Sequence, residues 1–194
     1  MKKFKTVYFK KKTIGILGGT FDPPHMGHLR TSLIAKEILK LDEIWWVISL
    51  RNPLKKEKIS SFKLRFEKVQ KYLNGKKIKA SNLEYKLKTP YTSELLSYLR
   101  KNMPTKNFVW IMGVDNLENF HLWKDWKSIF YKVPIAIFDR PFYSLFVKKS
   151  KCLNYFSKYR LNSGMVTSLK KNPPPCWMFL RGWPNNMSST KLKL

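Results

Sequence analysis

The chain has 194 residues, enough for one domain with a sizeable core, and its apolar fraction of 43% with 15% aromatics argues against general disorder. The formal net charge is +27, from 39 Lys+Arg against 12 Asp+Glu. No apolar run approaches the roughly 18 residues a membrane span needs, and no nucleic-acid-binding motif accompanies the charge, so a solvated basic surface that attracts anionic small molecules is expected.

Residues 1–12 (MKKFKTVYFKKK) read as a basic N-terminal arm, with residues 13–194 forming a single domain. The arm lacks the apolar core and small-residue cleavage site of a secretory signal, so the cytoplasm is the expected compartment. From Thr13 the chain alternates strand and helix. Ile14–Leu17 suits a buried parallel strand, and a helix follows with Leu29, Leu33, Ile34 and Ile38 on one face. Glu43–Leu50 (EIWWVISL) is a second strand. Ser60 or Ser61 is placed to cap a helix through Leu64, Val69 and Leu73, with Asn74-Gly75 as its stop. Ile78–Tyr85 reads as a third strand, and Thr92 or Ser93 as the cap of a helix carrying Leu95, Leu96 and Leu99. Phe108–Met112 is a fourth strand, a tryptophan-rich helix is expected over 117–131, and Pro134–Phe138 is a fifth strand. Helix and loop fill 141–172, Trp177–Leu180 is a last strand, and a further helix starts at Ser188. The rhythm predicts an α/β fold, a mostly parallel sheet with helices on both faces, whose ligands bind outside the carboxyl ends of the strands.

The stretch Thr13–Arg30 (TIGILGGTFDPPHMGHLR) organises the rest. Gly18 and Gly19 follow the first strand where a tight turn or a close approach to a ligand is expected. Pro23 and Pro24 delay the helix, and His25, Gly27 and His28 fall at its N-terminus. That end carries free N–H groups and the positive pole of the helix dipole, so it attracts phosphate, and Gly27 would let an anion reach the backbone. The glycines fit neither a G-x-G-x-x-G fingerprint nor a Walker A loop. No metal site is expected, because His121 and two distant cysteines, Cys152 and Cys176, are all that remain to complete one. The cysteines form no CxxC pair and should stay reduced. Taken alone, Asp115 reads equally as a helix cap, Trp123 and Trp126 as core, and Ser188-Ser189-Thr190 as an ordinary N-cap.

GGTFDPPHMGH, placed after a strand and before a helix, resembles the HxGH signature of the nucleotidylyltransferase superfamily, and most closely that of bacterial nicotinate-nucleotide adenylyltransferases. The resemblance extends over most of residues 13–193. Asn52-Pro53-Leu54-Lys55 is similar to the family's substrate-phosphate loop, and Tyr91-Thr92 to the SYT segment bordering the pyridine ring. Gly113-Val114-Asp115-Asn116-Leu117 is similar to the GxDxL motif near the nucleotide, and Trp123 and Trp126 to a tryptophan pair whose first ring lies against nicotinate. Ser188-Ser189-Thr190 resembles the ISSTxxR motif, whose arginine falls on Lys193; a lysine keeps the charge but loses the planar fork. Leu95 stands where the family usually has threonine.

The resemblance implies a Rossmann-like nucleotidylyltransferase fold and transfer of the adenylyl group of ATP to nicotinate mononucleotide, with ATP carrying Mg²⁺. It assigns ATP to Gly18, Gly19, Thr20, Phe21, His25, His28, Gly113, Asp115, Ser188, Ser189 and Thr190, and the acceptor to Asn52, Lys55, Tyr91, Thr92 and Trp123. His28 would meet the α-phosphate, with His25 and Lys193 on the β- and γ-phosphates. Such chemistry needs no nucleophilic side chain, because the attacking phosphate is already an anion; it needs alignment and charge stabilisation. The alternatives are a related adenylyltransferase with another acceptor and a basic nucleic-acid-binding module on the same fold without turnover.

Overall fold

Along the first strand Ile14 and Ile16 face one way and Leu17 the other, so a strand built from them must be covered on both sides. The other strands repeat the pattern. In a computed structural model describing residues 11–51, 53–54, 58–140 and 145–181, they assemble into one parallel sheet. In chain order the elements are β1 (Lys12–Gly19), α1 (Met26–Ile38), β2 (Glu43–Ile48), α2 (Phe62–Leu73), β3 (Lys79–Ser81), α3 (Leu83–Leu87), α4 (Thr92–Asn102) and β4 (Lys106–Gly113). After two 3₁₀ turns, Val114–Glu118 and Phe120–Leu122, come α5 (Trp126–Lys132), β5 (Ile135–Phe138), α6 (Leu145–Lys149), α7 (Lys151–Tyr155) and β6 (Trp177–Leu180).

The strand order is β3-β2-β1-β4-β5-β6, and every neighbouring pair is parallel. The chain runs outward from β1 to β3, then returns to the other side of β1 with β4. The crevice between the two halves therefore opens at the carboxyl ends of β1 and β4. One core packs Trp45, Trp110, Phe120, Phe130, Phe156 and the α4 leucines against one face of the sheet. The other packs Phe21, Leu29, Trp46, Val69 and Leu169 against the opposite face. Burial of these side chains stabilises each by about 1.5–3 kcal/mol relative to exposure.

Four expectations change. Gly18 and Gly19 close β1 in extended pairing with Val47 and Ile48 instead of forming the turn. The chain reverses at Phe21, which takes a left-handed backbone (φ 49°) that stacking of its fully buried ring on Trp46, 4.7 Å between centroids, holds in place. The third strand is only three residues, because the chain turns inward at Asn82 and carries the Glu84 carboxyl to the N–H of Leu50 (2.9 Å). The tryptophan-rich helix is broken, with Trp123 extended and Asp125 left-handed (φ 50°), so α5 starts only at Trp126. Neither Thr92 nor Ser93 caps α4: Tyr91 occupies that position, while the Thr89 hydroxyl accepts the N–H of Tyr91 (3.2 Å) and donates to Glu94 (2.6 Å). Leu95 is fully buried in the core. Ser61 does cap α2, its hydroxyl accepting from Leu64 N–H, and Gly75 follows in the left-handed region. Most of the basic arm, and the expected helix from Ser188, lie outside the described residues.

One buried cation ties the carboxyl ends of β1 and β2 together. Arg65 on α2, 1% exposed, donates to the carbonyls of Thr20 (2.9 Å), Ser49 (2.8 Å), Leu50 (3.1 Å) and Ser60 (2.9 Å). Asp22 accepts the N–H and hydroxyl of Ser60 from the other side. Replacing Arg65 by methionine keeps its apolar stem but strands four half-buried acceptors. Urea unfolding should show a loss of about 3 kcal/mol or more, given about 1–3 kcal/mol for each unsatisfied group and partial relaxation.

Candidate active site

A cavity of about 400 Å³ opens at the crevice. Its walls come from the end of β1 (Gly18, Gly19, Thr20), the head of α1 (His25, His28), the segments after β2 and β3, and the ends of β4 and β5. Gly18 lets the floor close: a Cβ there would stand 2.6 Å from the ring of Trp110, which packs under the strand. Gly113 is needed for the same reason, since a Cβ would meet the Asp115 carboxylate and the Arg140 guanidinium.

The histidines are held by the helix they begin. His25 is the N-cap of α1, and its Nδ1 accepts the N–H of Gly27 (3.1 Å). His28, three residues on, accepts the N–H of His25 at its own Nδ1 (3.4 Å), and the rings lie 3.8 Å apart. With each Nδ1 acting as acceptor, the remaining proton of each neutral ring sits on Nε2. Burial, then the charge of Arg140, pushes His25 down to about 4. Burial, then His25 and Arg140, holds His28 well below the ordinary imidazole value. The site thus presents two neutral Nε2–H donors of fixed orientation at neutral pH. The N–H of Gly27, where an anion was expected to reach the backbone, is already taken by His25, and both imidazoles border the cavity.

Arg140 follows β5 and pairs with Asp115 (3.1 Å). Asp115 is the second residue of the turn Val114–Glu118, whose cap position is Gly113, and its second oxygen is buried without a hydrogen-bond partner among the described residues. Two other cavity-lining groups share that condition, Ser49 Oγ and Trp110 Nε1. On the opposite wall Lys124 lies over the ring of Tyr91 (4.5 Å) and pairs with Glu94 (2.7 Å). Trp123 stacks on Phe120 (4.7 Å) and stands edge-on to Trp110 (6.5 Å). Among the described residues no group of three or more His, Cys, Asp or Glu is placed to hold a metal ion, and no helix is long and apolar enough to cross a membrane.

The sequence model of the cytidylyltransferase-like family matches residues 16–193. A protein of Ruegeria sp. named probable nicotinate-nucleotide adenylyltransferase is 36% identical over 181 residues, covering 93% of this chain and 96% of its own. One of the same name from Brucella suis is 38% identical over 182 residues, covering 93% and 94%. The chain belongs to this family of nucleotidyltransferases. The solved Plasmodium falciparum nicotinic acid mononucleotide adenylyltransferase complexed with NaAD aligns with a TM-score of 0.66 over 93% of this chain and 82% of that one. At 18% identity that likeness speaks for the fold, which is the Rossmann-like nucleotidylyltransferase arrangement.

Of the family positions read from the sequence, Gly18, Gly19, Thr20, His25, His28, Gly113, Asp115, Tyr91, Thr92 and Trp123 all border the one cavity. Phe21 does not; its ring is in the core. Trp126 also stands outside, edge-on to Tyr155 and Phe156. Asn52, Lys55, Ser188, Ser189, Thr190 and Lys193 lie outside the described residues. Sequence reasoning missed Arg140, Glu84, Arg65 and Trp110. Arg140 was within reach, because it follows a strand of a parallel sheet at the end where ligands bind.

The buried imidazole has a thermodynamic signature. Between pH 6.5 and about 4 the unfolded chain takes up a proton at His25 that the folded chain refuses, so this group lowers stability as the pH falls through that window. Asparagine is a good N-cap that does not titrate. Thermal midpoints of His25→Asn should therefore decline less steeply from pH 6.5 to 4 than those of the parent chain, and equal slopes would overturn the neutral-donor assignment.

Proposed function

We propose that the protein transfers the adenylyl group of ATP to nicotinate mononucleotide, giving nicotinic acid adenine dinucleotide and pyrophosphate, as a step of NAD biosynthesis. The observation that carries the reading is the imidazole pair, locked as Nε2–H donors at the head of α1 and bordering the crevice between β1 and β4. The names of relatives 36% and 38% identical support the choice of acceptor.

A phosphate oxygen of the mononucleotide attacks the α-phosphorus of ATP, forming one P–O bond. The bond from that phosphorus to the bridging oxygen breaks in line, and pyrophosphate leaves with the electron pair. No covalent enzyme intermediate is needed. His28 stabilises charge growing at the α-phosphate, while His25 and Arg140 face the phosphates beyond it. Hydrogen-bond donors already in place cost no reorganisation when the charge develops. Lys193, with Ser188, Ser189 and Thr190, is proposed on resemblance as a further grip on the triphosphate, and Asn52 and Lys55 as the grip on the acceptor phosphate. Tyr91, Thr92 and Trp123 border the pyridine ring. Mg²⁺ enters on ATP as part of the substrate, and the cytoplasm, where ATP is made available, is the proposed compartment.

Pyrophosphate release is the assay, with MgATP and either nicotinate or nicotinamide mononucleotide. Turnover should be well faster with the acid. His28→Ala should lower kcat by about 10²–10³-fold, as loss of a transition-state donor does, while stability changes by no more than one lost cap bond, about 1 kcal/mol. Unimpaired turnover in that variant would remove His28 from the chemistry.

A further inference from the structure

The cavity wall on the β2 side holds a carboxyl group that the reaction above does not use. Glu84, on α3, is 3% exposed yet borders the cavity. Its Oε2 accepts the N–H of Leu50 (2.9 Å), and its Oε1 accepts no hydrogen bond from the described residues. Burial pushes the carboxyl up to about 7, against the lowering pull of the Leu50 N–H and Arg65. One residue before Leu50, Ser49 Oγ is buried with no partner among the described residues and borders the same cavity. A sealed hydroxyl and a nearly buried carboxyl with one oxygen unclaimed by the described residues thus stand on one stretch of wall, which a fold tolerates where a ligand supplies the missing bonds.

The chemistry of that ligand follows from what each side offers. Phosphates only accept hydrogen bonds, and the cavity answers with donors: the two imidazoles, Arg140, Arg51 and Lys124. A carboxylate beside a phosphate would repel it. Ribose hydroxyls are different, because each has a proton to donate, and acidic side chains commonly receive it. Among the described residues the cavity is lined by two carboxyls besides backbone acceptors. Asp115, at the end of β4, is already paired with Arg140. Glu84 lies in the other half of the crevice, among Ser49, Pro53 and Tyr91.

Resting on the adenylyl-transfer reading, we propose that Glu84 is a binding residue for the acceptor, its Oε1 receiving a hydrogen bond from a ribose hydroxyl of the mononucleotide, with Ser49 Oγ as a neighbouring partner. Leu50 then has a second role: its N–H orients the carboxyl so that one oxygen is held and the other is presented.

Glu84→Gln retains the shape and an acceptor for Leu50 N–H but offers an amide NH₂ where the free oxygen stood. Steady-state kinetics of the full chain should show KM for nicotinate mononucleotide raised by about tenfold, the usual scale of one hydrogen bond to a buried polar group. KM for MgATP should stay within twofold. With mononucleotides lacking the 2′- or the 3′-hydroxyl, one of the two should be a poorer acceptor for the parent chain, and against that one the substitution should cost nothing further. An equal KM penalty on intact and deoxy acceptors, or an equal rise in KM for MgATP, would reduce Glu84 to a support for Leu50 and overturn the assignment. So would a parent chain indifferent to both deoxy acceptors, a result that does not depend on the variant folding. If the parent chain does not turn over the mononucleotide at all, the functional reading fails as well; turnover without coupling removes this assignment alone.

Discussion

The site rests on a guanidinium sealed from water. Arg65 would be costly to bury if its five N–H donors were left idle. Three of its bonds go to carbonyls just past the carboxyl ends of β1 and β2, where the sheet's ladder runs out, and the fourth to Ser60 ahead of α2. The charge is offset at short range by Asp22 and Glu84, both buried. These three side chains join Thr20 and Asp22, ahead of α1, with Ser49, Leu50 and Ser60, after β2, in one hydrogen-bonded body. The position of His25 is inherited from that body, because the residues before it are anchored through Thr20 and Asp22.

A second constraint follows from bringing two anions together. Cationic imidazoles would hold the ground-state phosphates tightly, and uniform binding of that kind does not speed the chemical step. The capping box instead spends each Nδ1 on a backbone N–H and leaves Nε2–H as a neutral dipole. Burial enforces the neutral state, the charge of Arg140 adds to it, and Arg140 is itself paired with Asp115. Helix start, proton position and site electrostatics are therefore one arrangement, in which the residues that begin α1 also line the cavity.

Most strands and their parallel sense could be read from the chain because their signal is local: apolar runs such as Ile44–Ile48 must be covered on both faces wherever they lie. The imidazole pair was readable for a similar reason, since its spacing belongs to one helix turn. What escaped depended on contacts between distant segments. Nothing near Glu84 says that its carboxyl will reach Leu50, 34 residues away, and that contact is what turns an apparent strand into α3. Gly18 and Gly19 looked like a turn, yet their reason is the Trp110 and Phe21 rings pressed against them. Trp123 was readable only by resemblance, because a tryptophan beside a cavity and one in a core have the same local sequence.

The excess of positive charge bears on this site less than composition suggests. Two glutamates of the same chain show why. Glu43, at the start of β2, is drawn down to about 2 by Lys79 and by the indole N–H of Trp45. Glu84 is pushed up to about 7 despite a net charge of +27. Were the long-range field decisive, both would move down together; desolvation at Glu84 outweighs it. At physiological ionic strength the field of distant lysines is screened beyond about 8 Å. It can hasten the arrival of anionic substrates. It does not decide what lines the cavity, where two neutral imidazoles, a paired arginine and a carboxyl that burial inclines toward its neutral form stand together.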